Sequence, residues 1–337
     1  MLKPDHLVIY LSGRCNLSCP CCYAAGVSRR TISRAALFAA LGAFAAARPA
    51  APRFTILGGE PLLCRDLAYA ALARIEELFG PGAPVQLFTN GLLLKKGEAQ
   101  KLLKRGVKLT VSFGSAGPGV PGRARTGAAN IPRALRKKVS AAVVATPAGA
   151  GELAAAVLHL LGLGFGRVAW SPDITAAWDG AALARLRASS KALLLEYLVR
   201  LRSGRGLWEL ANGYEAIAAA SGGARPGPCR NLTLAPDGYF YPCDKMLSGP
   251  AAMLRPFRAG ADGKGREKFF RLAARGGISS SQSVCPAAPW AAARFRPAGG
   301  PVPAGQAAAG KIAARWLKAA AEAGLSSPVF RRLHGVI

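Results

Sequence analysis

Up to about Gly204, apolar and polar positions follow two alternating patterns. Short apolar or β-branched runs predict buried strands, and the longer Ala- and Leu-rich segments between them have the period of helices. The predicted strands are His6–Leu11, Arg53–Leu57, Val85–Phe88, Lys108–Phe113, Ala141–Ala145 and Arg167–Trp170. The predicted helices lie near Ser33–Arg48, Asp66–Phe79, Lys95–Arg105, Ala128–Lys138, Gly151–Leu163 and Ala181–Arg202. Six strand–helix units in series predict an α/β fold with a parallel sheet, open or curled into a barrel, whose ligand loops follow the carboxyl ends of the strands.

The pattern changes after Gly204. Two short apolar runs flank Pro236-Asp237-Gly238, which is typical of a hairpin turn, and they predict a second, smaller unit. The other features of this part are a small helix near Tyr214–Ala220, a Gly- and Pro-rich stretch at Gly222–Pro228, a linker at Pro297–Gly305 and a closing helix at Gln306–Ala323. We therefore divide the chain into residues 1–205, 206–295 and 296–337.

Composition adds a strong positive charge. Lys and Arg number 45 against 17 Asp and Glu, so the net charge of +28 reflects a shortage of carboxylates. The densest basic stretches, Arg133–Lys138 and Lys95–Arg105, have the pattern of exposed helix faces. This favours a solvated basic surface over an acidic peptide or small-molecule partner, and both over RNA. Apolar runs are too short to span a membrane and no secretory signal is evident, so we expect a soluble, cytoplasmic protein.

The segment CNLSCPCCY, from Cys15 to Tyr23, contains four of the eight cysteines. In a reducing cytosol, clustered cysteines are more often metal ligands or catalytic groups than disulfide partners. Cys15, Cys19 and Cys22 are separated by three and two residues, and three such thiolates can hold three corners of a cubane iron–sulfur cluster and leave one iron open. Zinc is the rival, but a structural zinc site takes four ligands, and His6, His159 and His334 are not spaced to supply one.

A second motif, Gly58-Gly59-Glu60-Pro61, follows the second predicted strand. With the cysteine triplet it resembles the radical S-adenosylmethionine (SAM) superfamily, whose fold is a partial barrel of six β/α units. The resemblance implies a [4Fe-4S] cluster with an open iron site and SAM as cofactors. It also implies SAM contacts from the GGEP turn, with Glu60 at the amino group; the further contacts it suggests are Tyr23, Thr89 and Asn90 of a TNG turn, Ser112 near the ribose and Arg125 near the carboxylate.

The chain departs from that family at two points. An aromatic residue usually precedes the third cysteine, but this chain has Cys21, either a small apolar group or a redox-active thiol. The common VSLDG after the fourth strand reads VSFGS here, so any role of its aspartate is lost. Cys64, just beyond the GGEP turn, is expected to be a buried helix thiol.

A second set of cysteines occurs near the hairpin. Cys229 and Cys243 are separated by thirteen residues, and Cys285 follows. The spacing resembles the SPASM and twitch extensions of radical SAM enzymes and implies one auxiliary iron–sulfur cluster held by these three cysteines, with a substrate atom, another side chain or Cys64 as the fourth ligand. A degenerate site, empty or filled with zinc, and chance resemblance remain alternatives. Asp244 is a candidate acid or base, or else a turn residue.

The resemblance implies reductive cleavage of SAM to a 5′-deoxyadenosyl radical, which abstracts hydrogen from a substrate. Relatives with this extension mostly modify peptides or proteins, so we expect a peptide or protein substrate, with an acidic one among the options, and an electron donor such as flavodoxin or ferredoxin. A small-molecule radical SAM oxidoreductase is the alternative, and a non-enzymatic metal- or RNA-binding protein is a remote one. We expect no membrane partner and no nucleic acid.

Overall fold

A computed structural model of the chain describes residues 3–117, 119–210, 220, 229–275 and 305–334. Its described strands form one sheet in the order β7-β6-β5-β4-β3-β2-β1-β8-β9, parallel throughout except for the last pair. They are β1 (His6–Tyr10), β2 (Arg53–Leu57), β3 (Val85–Thr89), β4 (Lys108–Ser115), β5 (Ser140–Ala145), β6 (Arg167–Pro172), β7 (Glu209–Leu210), β8 (Asn231–Leu234) and β9 (Phe240–Tyr241). The predicted α/β class, parallel sheet and all six strands are confirmed.

Helices connect the parallel strands. They are α1 (Arg34–Ala46), α2 (Arg65–Phe79), α3 (Glu98–Lys104), α4 (Val120–Ala128), α5 (Arg133–Arg136), α6 (Leu153–Gly162) and α7 (Gly180–Ser203). Further helices are Ala251–Leu254, Arg266–Arg275, Gln306–Gly324 and Pro328–His334, and 3₁₀ turns occupy Pro61–Cys64, Ala150–Glu152, Asp244–Met246 and Arg255–Phe257. The helix predicted from Gln306 is confirmed. No described helix combines the length and apolar character needed to cross a membrane.

Two helix predictions need correction. The single helix predicted over Ala128–Lys138 is wrong, because α4 ends at Ala128 and α5 begins only after Pro132. The proline ring disfavours helical backbone at Ile131, which precedes it, and so interrupts the helix. The helix predicted from Lys95 begins later, at Glu98, because Gly97 before it has a left-handed backbone with φ of 79°.

The two faces of the sheet pack against different partners. Leu7, Ile9 and Leu11 of the first strand face the core that the connecting helices cover. Val8 and Tyr10 alternate with them and pack in a second cluster, which includes Tyr241 from β9. The alternation of side chains along a strand thus places the segment after residue 230 against the inner face of β1.

The predicted hairpin is confirmed by the antiparallel pairing of Leu234 with Phe240. Its first strand also continues the main sheet, because β8 pairs in parallel with β1 from His6↔Asn231 to Ile9↔Leu234. The hairpin is therefore joined to the barrel-type sheet by backbone hydrogen bonds, although our boundary near residue 205 stays a prediction. The stretch Gly222–Pro228 and Cys285 lie outside the described residues, as do the helix predicted near Tyr214–Ala220 and the linker Pro297–Gly305 except for their last residues.

Candidate functional site

The loop that follows β1 carries the first cysteine set, and we call residues 12–31 the cysteine loop. Backbone hydrogen bonds from Gly59 N to Ser12 O, at 2.9 Å, and from Glu60 N to Arg14 O, at 2.8 Å, tie its start to the GGEP turn. A Cβ atom on Gly59 would lie 2.3 Å from the Arg14 carbonyl oxygen, well inside van der Waals contact. Glycine is therefore required here by the close approach of two backbones.

Three thiols of the cysteine loop lie within electrostatic reach of one another. Cys15 and Cys19 are partly buried and Cys22 is exposed. Burial raises the pKa of Cys19, and the neighbouring Cys15 thiol raises this pKa further. Burial likewise raises the pKa of Cys22, with smaller contributions in the same direction from Cys19 and Cys15. The structure thus brings the predicted triplet together on one loop at the carboxyl edge of the sheet.

Cys21 is only 8% exposed and packs in the protein interior. Burial is the main cause that raises its pKa to about 11, so the thiol stays protonated at neutral pH. Of the two interpretations of Cys21, its burial favours the small apolar group.

The Glu60 carboxylate joins the GGEP turn to the TNG turn. It is 1% exposed and accepts hydrogen bonds from Leu62 N at 3.0 Å, Thr89 Oγ1 at 2.8 Å and Asn90 N at 2.8 Å. Burial raises the pKa of Glu60, and the three hydrogen bonds oppose that rise. In this arrangement the carboxylate is engaged with protein donors, whereas Gly58 and Gly59 beside it remain partly exposed.

Asn90 connects the TNG turn to the cysteine loop. Its Nδ2 donates to Asn16 Oδ1 at 2.8 Å and lies 4.0 Å from Cys15 Sγ, while its Oδ1 accepts from Leu92 N at 3.0 Å. Asn90 was predicted to contact SAM, and Asn16 was not predicted to have a role. The structure gives Asn90 a contact with the residue next to the first cysteine of the triplet, so it also positions the loop.

The fourth strand brings further groups to this edge. Ser112 lies half-buried on the face of β4 opposite Val111 and Phe113, as expected for a residue that points into the barrel. Gly114 occupies the position of the lost aspartate, and a Cβ atom there would lie 3.8 Å from Cys19 Sγ.

One arginine near β4, Arg123, was not predicted as a site residue from the sequence. Arg125 on α4 is exposed and makes no hydrogen bond or ion pair with the described part of the chain, so its contact with SAM stays a prediction. Arg123, two residues before Arg125, donates from Nε to the Phe113 carbonyl at 2.7 Å and from Nη2 to Ser115 O. Its positive charge also acts on the Cys19 thiol and lowers that pKa. Arg123 is therefore the arginine that the structure places beside the cysteine loop.

Tyr23 joins the two cysteine segments. Its hydroxyl accepts from Tyr10 at 3.0 Å and donates to Asp244 Oδ2 at 3.1 Å. Lys245 Nζ lies 2.5 Å from the same carboxylate oxygen and 3.8 Å from the centroid of the Tyr23 ring. Burial raises the pKa of Tyr23, and the Lys245 charge opposes that rise. Tyr23 was predicted at SAM and Asp244 beside the auxiliary cysteines, and the two side chains are in direct contact.

Cys229 precedes β8 and Cys243 follows β9, so the hairpin presents both at partly buried positions. Arg266 donates from Nη2 to the Cys229 carbonyl at 2.8 Å, and the sulfur atoms of both cysteines act electrostatically on its guanidinium. These two members of the predicted auxiliary set are therefore near one side chain. Cys285 lies outside the described residues.

Cys64 differs from expectation, because it is partly exposed rather than buried. It ends the 3₁₀ turn Pro61–Cys64, and its Sγ lies 3.7 Å from both Arg14 Nη2 and Thr31 Oγ1. These residues line a surface cleft together with Arg65 and Lys95. No hydrogen bond or ion pair of the described chain joins Cys64 to Cys229 or Cys243, so nothing places it in the auxiliary set.

Both cysteine sets suit iron–sulfur chemistry by their donor atoms, because three thiols on one loop and two at one hairpin are the ligands such clusters use. The side chains have not converged into a closed metal cage: no group of three or more His, Cys, Asp and Glu within the described ranges is arranged to hold a metal ion. His6 is engaged in β1, where its ring contacts Asn231 Oδ1 at 3.0 Å and Thr55 Oγ1 at 2.8 Å. The fit of a cluster therefore rests on the donor set and its surroundings.

Comparison with known proteins decides the family. The family model described as the radical SAM superfamily matches residues 9–136, which contain the cysteine loop, the GGEP turn and the TNG turn. Residues 9–136 of the chain therefore form a radical SAM domain. The predicted membership and fold are thereby confirmed. No curated protein sequence matches the chain.

Solved structures extend the similarity beyond the radical SAM domain. His6-tagged anSMEcpe with bound AdoMet has a TM-score of 0.68 and 13% sequence identity, with 98% of each chain covered. Native anSMEcpe with bound AdoMet and Kp18Cys peptide has a TM-score of 0.66 and 14% identity, with 94% of this chain and 98% of that chain covered. SuiB from Streptococcus suis has a TM-score of 0.49 and 19% identity, over 72% of this chain and 60% of that chain. At these identities the chain shares its fold with anSMEcpe, and its substrate does not follow from the similarity.

Proposed function

We propose that this radical SAM enzyme removes a hydrogen atom from a peptide or protein substrate and uses Asp244 to accept a proton from the same substrate. The observation that carries this proposal is the hydrogen bond between Tyr23 and Asp244, because it puts a carboxylate of the second cysteine segment beside the first. A peptide substrate is supported by the structure of anSMEcpe with Kp18Cys peptide, whose fold matches 94% of this chain.

In this proposal, Cys15, Cys19 and Cys22 hold a [4Fe-4S] cluster with an open iron site. When bound, that cluster supplies the electron that cleaves SAM to methionine and a 5′-deoxyadenosyl radical. Glu60 and Asn90 fix the turns against which the cysteine loop rests. SAM-binding positions are proposed at the half-buried Gly58, Gly59 and Ser112 and at the buried Pro61 and Thr89. Arg123 is a candidate in addition to Arg125.

Asp244 is held in a defined orientation. Its Oδ2 accepts from Tyr23 and Lys245, whereas its Oδ1 lies 4.0 Å from Cys243 Sγ and has no stronger contact among the described residues. Asp244 Oδ1 is therefore placed to accept the proton that the substrate radical releases when it passes its electron to the auxiliary cluster proposed below.

We further propose one auxiliary iron–sulfur cluster at Cys229, Cys243 and Cys285, and a flavodoxin- or ferredoxin-type electron donor. The pairing of β8 with β1 supports the auxiliary site, because it connects the hairpin that carries Cys229 and Cys243 directly to the strand that leads into the cysteine loop.

The first test is SAM cleavage by anaerobically reconstituted protein. Reduction with dithionite should yield 5′-deoxyadenosine from the wild type, and C15A/C19A/C22A should abolish it. C64A is the matched control, because this thiol lies outside both proposed sets and should leave SAM cleavage unchanged. Iron-loaded wild type that produces no 5′-deoxyadenosine contradicts a radical SAM reaction. A peptide-dependent change in product mass then tests the substrate class, with free amino acids and other small metabolites as the comparison.

A further inference from the structure

Arg266 is a buried cation that has no matching anion among the residues the structure describes. It begins the helix Arg266–Arg275, and only 1% of its surface is exposed. Its guanidinium carbon lies 5.1 Å from the centroid of the Phe270 ring, and its Nη2 donates to the Cys229 carbonyl at 2.8 Å. Its Nε has no hydrogen-bond partner among the described residues.

No carboxylate of the described chain lies within ion-pair distance of Arg266. The carboxylates of Asp5 and Glu267 act on it only at longer range. Asp5 is paired with Arg53 at 3.3 Å and Arg230 at 2.8 Å, and Glu267 accepts from Gly265 N at 2.9 Å. An arginine does not lose its proton in a protein, so its charge must be compensated in the interior by another group.

The guanidinium contacts the Cys229 carbonyl directly, and the thiol groups of Cys229 and Cys243 are near enough to act on it electrostatically. Neutral thiols compensate a cation poorly, whereas thiolates bound to a metal cluster carry negative charge. The structure therefore contains a positive charge beside two cysteines, in the place where an anionic cluster needs one.

We propose that Arg266 is the internal counter-ion of an auxiliary iron–sulfur cluster held by Cys229 and Cys243. This inference rests on the auxiliary cluster of the proposed function, and it makes Arg266 a positioning residue rather than a ligand. The guanidinium retains the cluster by compensating its negative charge. It also favours the reduced, more negative form and so raises the reduction potential of the cluster.

The test uses R266M, which removes the charge at similar length, and R266K, which keeps a charge. Both are made in the C15A/C19A/C22A background, where only the auxiliary cluster remains, and again in the otherwise unchanged holoenzyme. R266M should lose iron to a chelator about 10- to 100-fold faster than its parent and have a lower reduction potential, as is typical when a group next to metal ligands is removed. R266K should lie between the two, and R271M, at an exposed arginine of the same helix, should match the parent.

Thermal unfolding separates this role from plain packing. R266M should preserve or raise the melting temperature of the apoprotein, because it removes a buried charge that has no close anion, and should lower that of the cluster-bound protein. Equal destabilisation of both forms, with unchanged iron loss and potential, overturns the proposal.

Metal analysis separates failure of the inference from failure of the proposed function. A C15A/C19A/C22A protein that retains iron and sulfide but does not respond to R266M refutes only the counter-ion. Zinc, or no metal, in that protein refutes both the auxiliary cluster and the counter-ion. Neither result affects SAM cleavage at the first cysteine set, which is measured separately in the wild type.

Discussion

Replacement of Asp244 by Asn tests the proposed proton acceptor directly. The amide is nearly the same size and can still accept the Tyr23 hydrogen bond through its oxygen, so the local structure should survive. The amide, unlike the carboxylate, cannot accept a proton at neutral pH. Loss of a positioned general base typically lowers the rate by about 100- to 10,000-fold. This corresponds to about 3 to 5 kcal/mol of activation free energy.

The assay measures 5′-deoxyadenosine and modified peptide in the same anaerobic reaction. D244N should cleave SAM at close to the wild-type rate, because the cysteine loop is intact, but should form far less oxidised peptide per SAM consumed. D237N is the matched control: this acid of the same hairpin also accepts a tyrosine hydroxyl, from Tyr241 at 2.7 Å, but has no contact with the cysteine loop. If D244N keeps the wild-type ratio of modified peptide to 5′-deoxyadenosine, Asp244 is not the proton acceptor.

Three further predictions concern the scaffold. G59A should lower the free energy of unfolding by at least about 2 kcal/mol, because the added Cβ would overlap the Arg14 carbonyl oxygen. G42A is the control and should be neutral or stabilising, because a Cβ there meets nothing within 4 Å. Equal melting temperatures of the two variants would contradict the steric argument. N90A removes the hydrogen bond to Asn16 in the cysteine loop and should speed the loss of iron to a chelator about tenfold. An unchanged rate of iron loss would show that Asn90 does not position the loop. Burial, followed by the Arg167 charge, lowers the pKa of His334 to about 4, so the stabilising effect of the neutral ring should be complete above about pH 6.5 and lost as the pH falls through about 4. H334Q should reduce the pH dependence of the free energy of unfolding, measured with urea across that range. An unchanged pH profile would refute the prediction.

The strands and most helices could be predicted because their signals are local. Apolar runs such as Arg53–Leu57 and the helical period of α2 reflect burial that each segment shows on its own. The cysteine triplet and the GGEP turn were recognised by their resemblance to the radical SAM superfamily. Their location at one edge was expected because loops at the carboxyl ends of parallel strands carry the ligand.

What could not be predicted depends on contacts between distant segments. Pairing of β8 with β1 spans more than two hundred residues along the chain and leaves no periodic trace in either strand. The helix α4 was missed because its sequence, VPGRARTGA, is rich in Gly and Arg and resembles a loop. Arg123 and Arg266 could not be separated from the chain's many other basic residues, since their burial and partners exist only in the folded chain.

The position of β1 in the sheet has a consequence for how the protein is made. This strand is synthesised first, but it is flanked in the finished sheet by β2 and by β8, which begins at Asn231. Until that later segment leaves the ribosome, one edge of β1 exposes unpaired backbone groups to solvent and to neighbouring chains. Cofactor insertion into the adjacent cysteine loop is therefore expected to follow synthesis of the hairpin, and fragments that end before the hairpin should aggregate rather than mature.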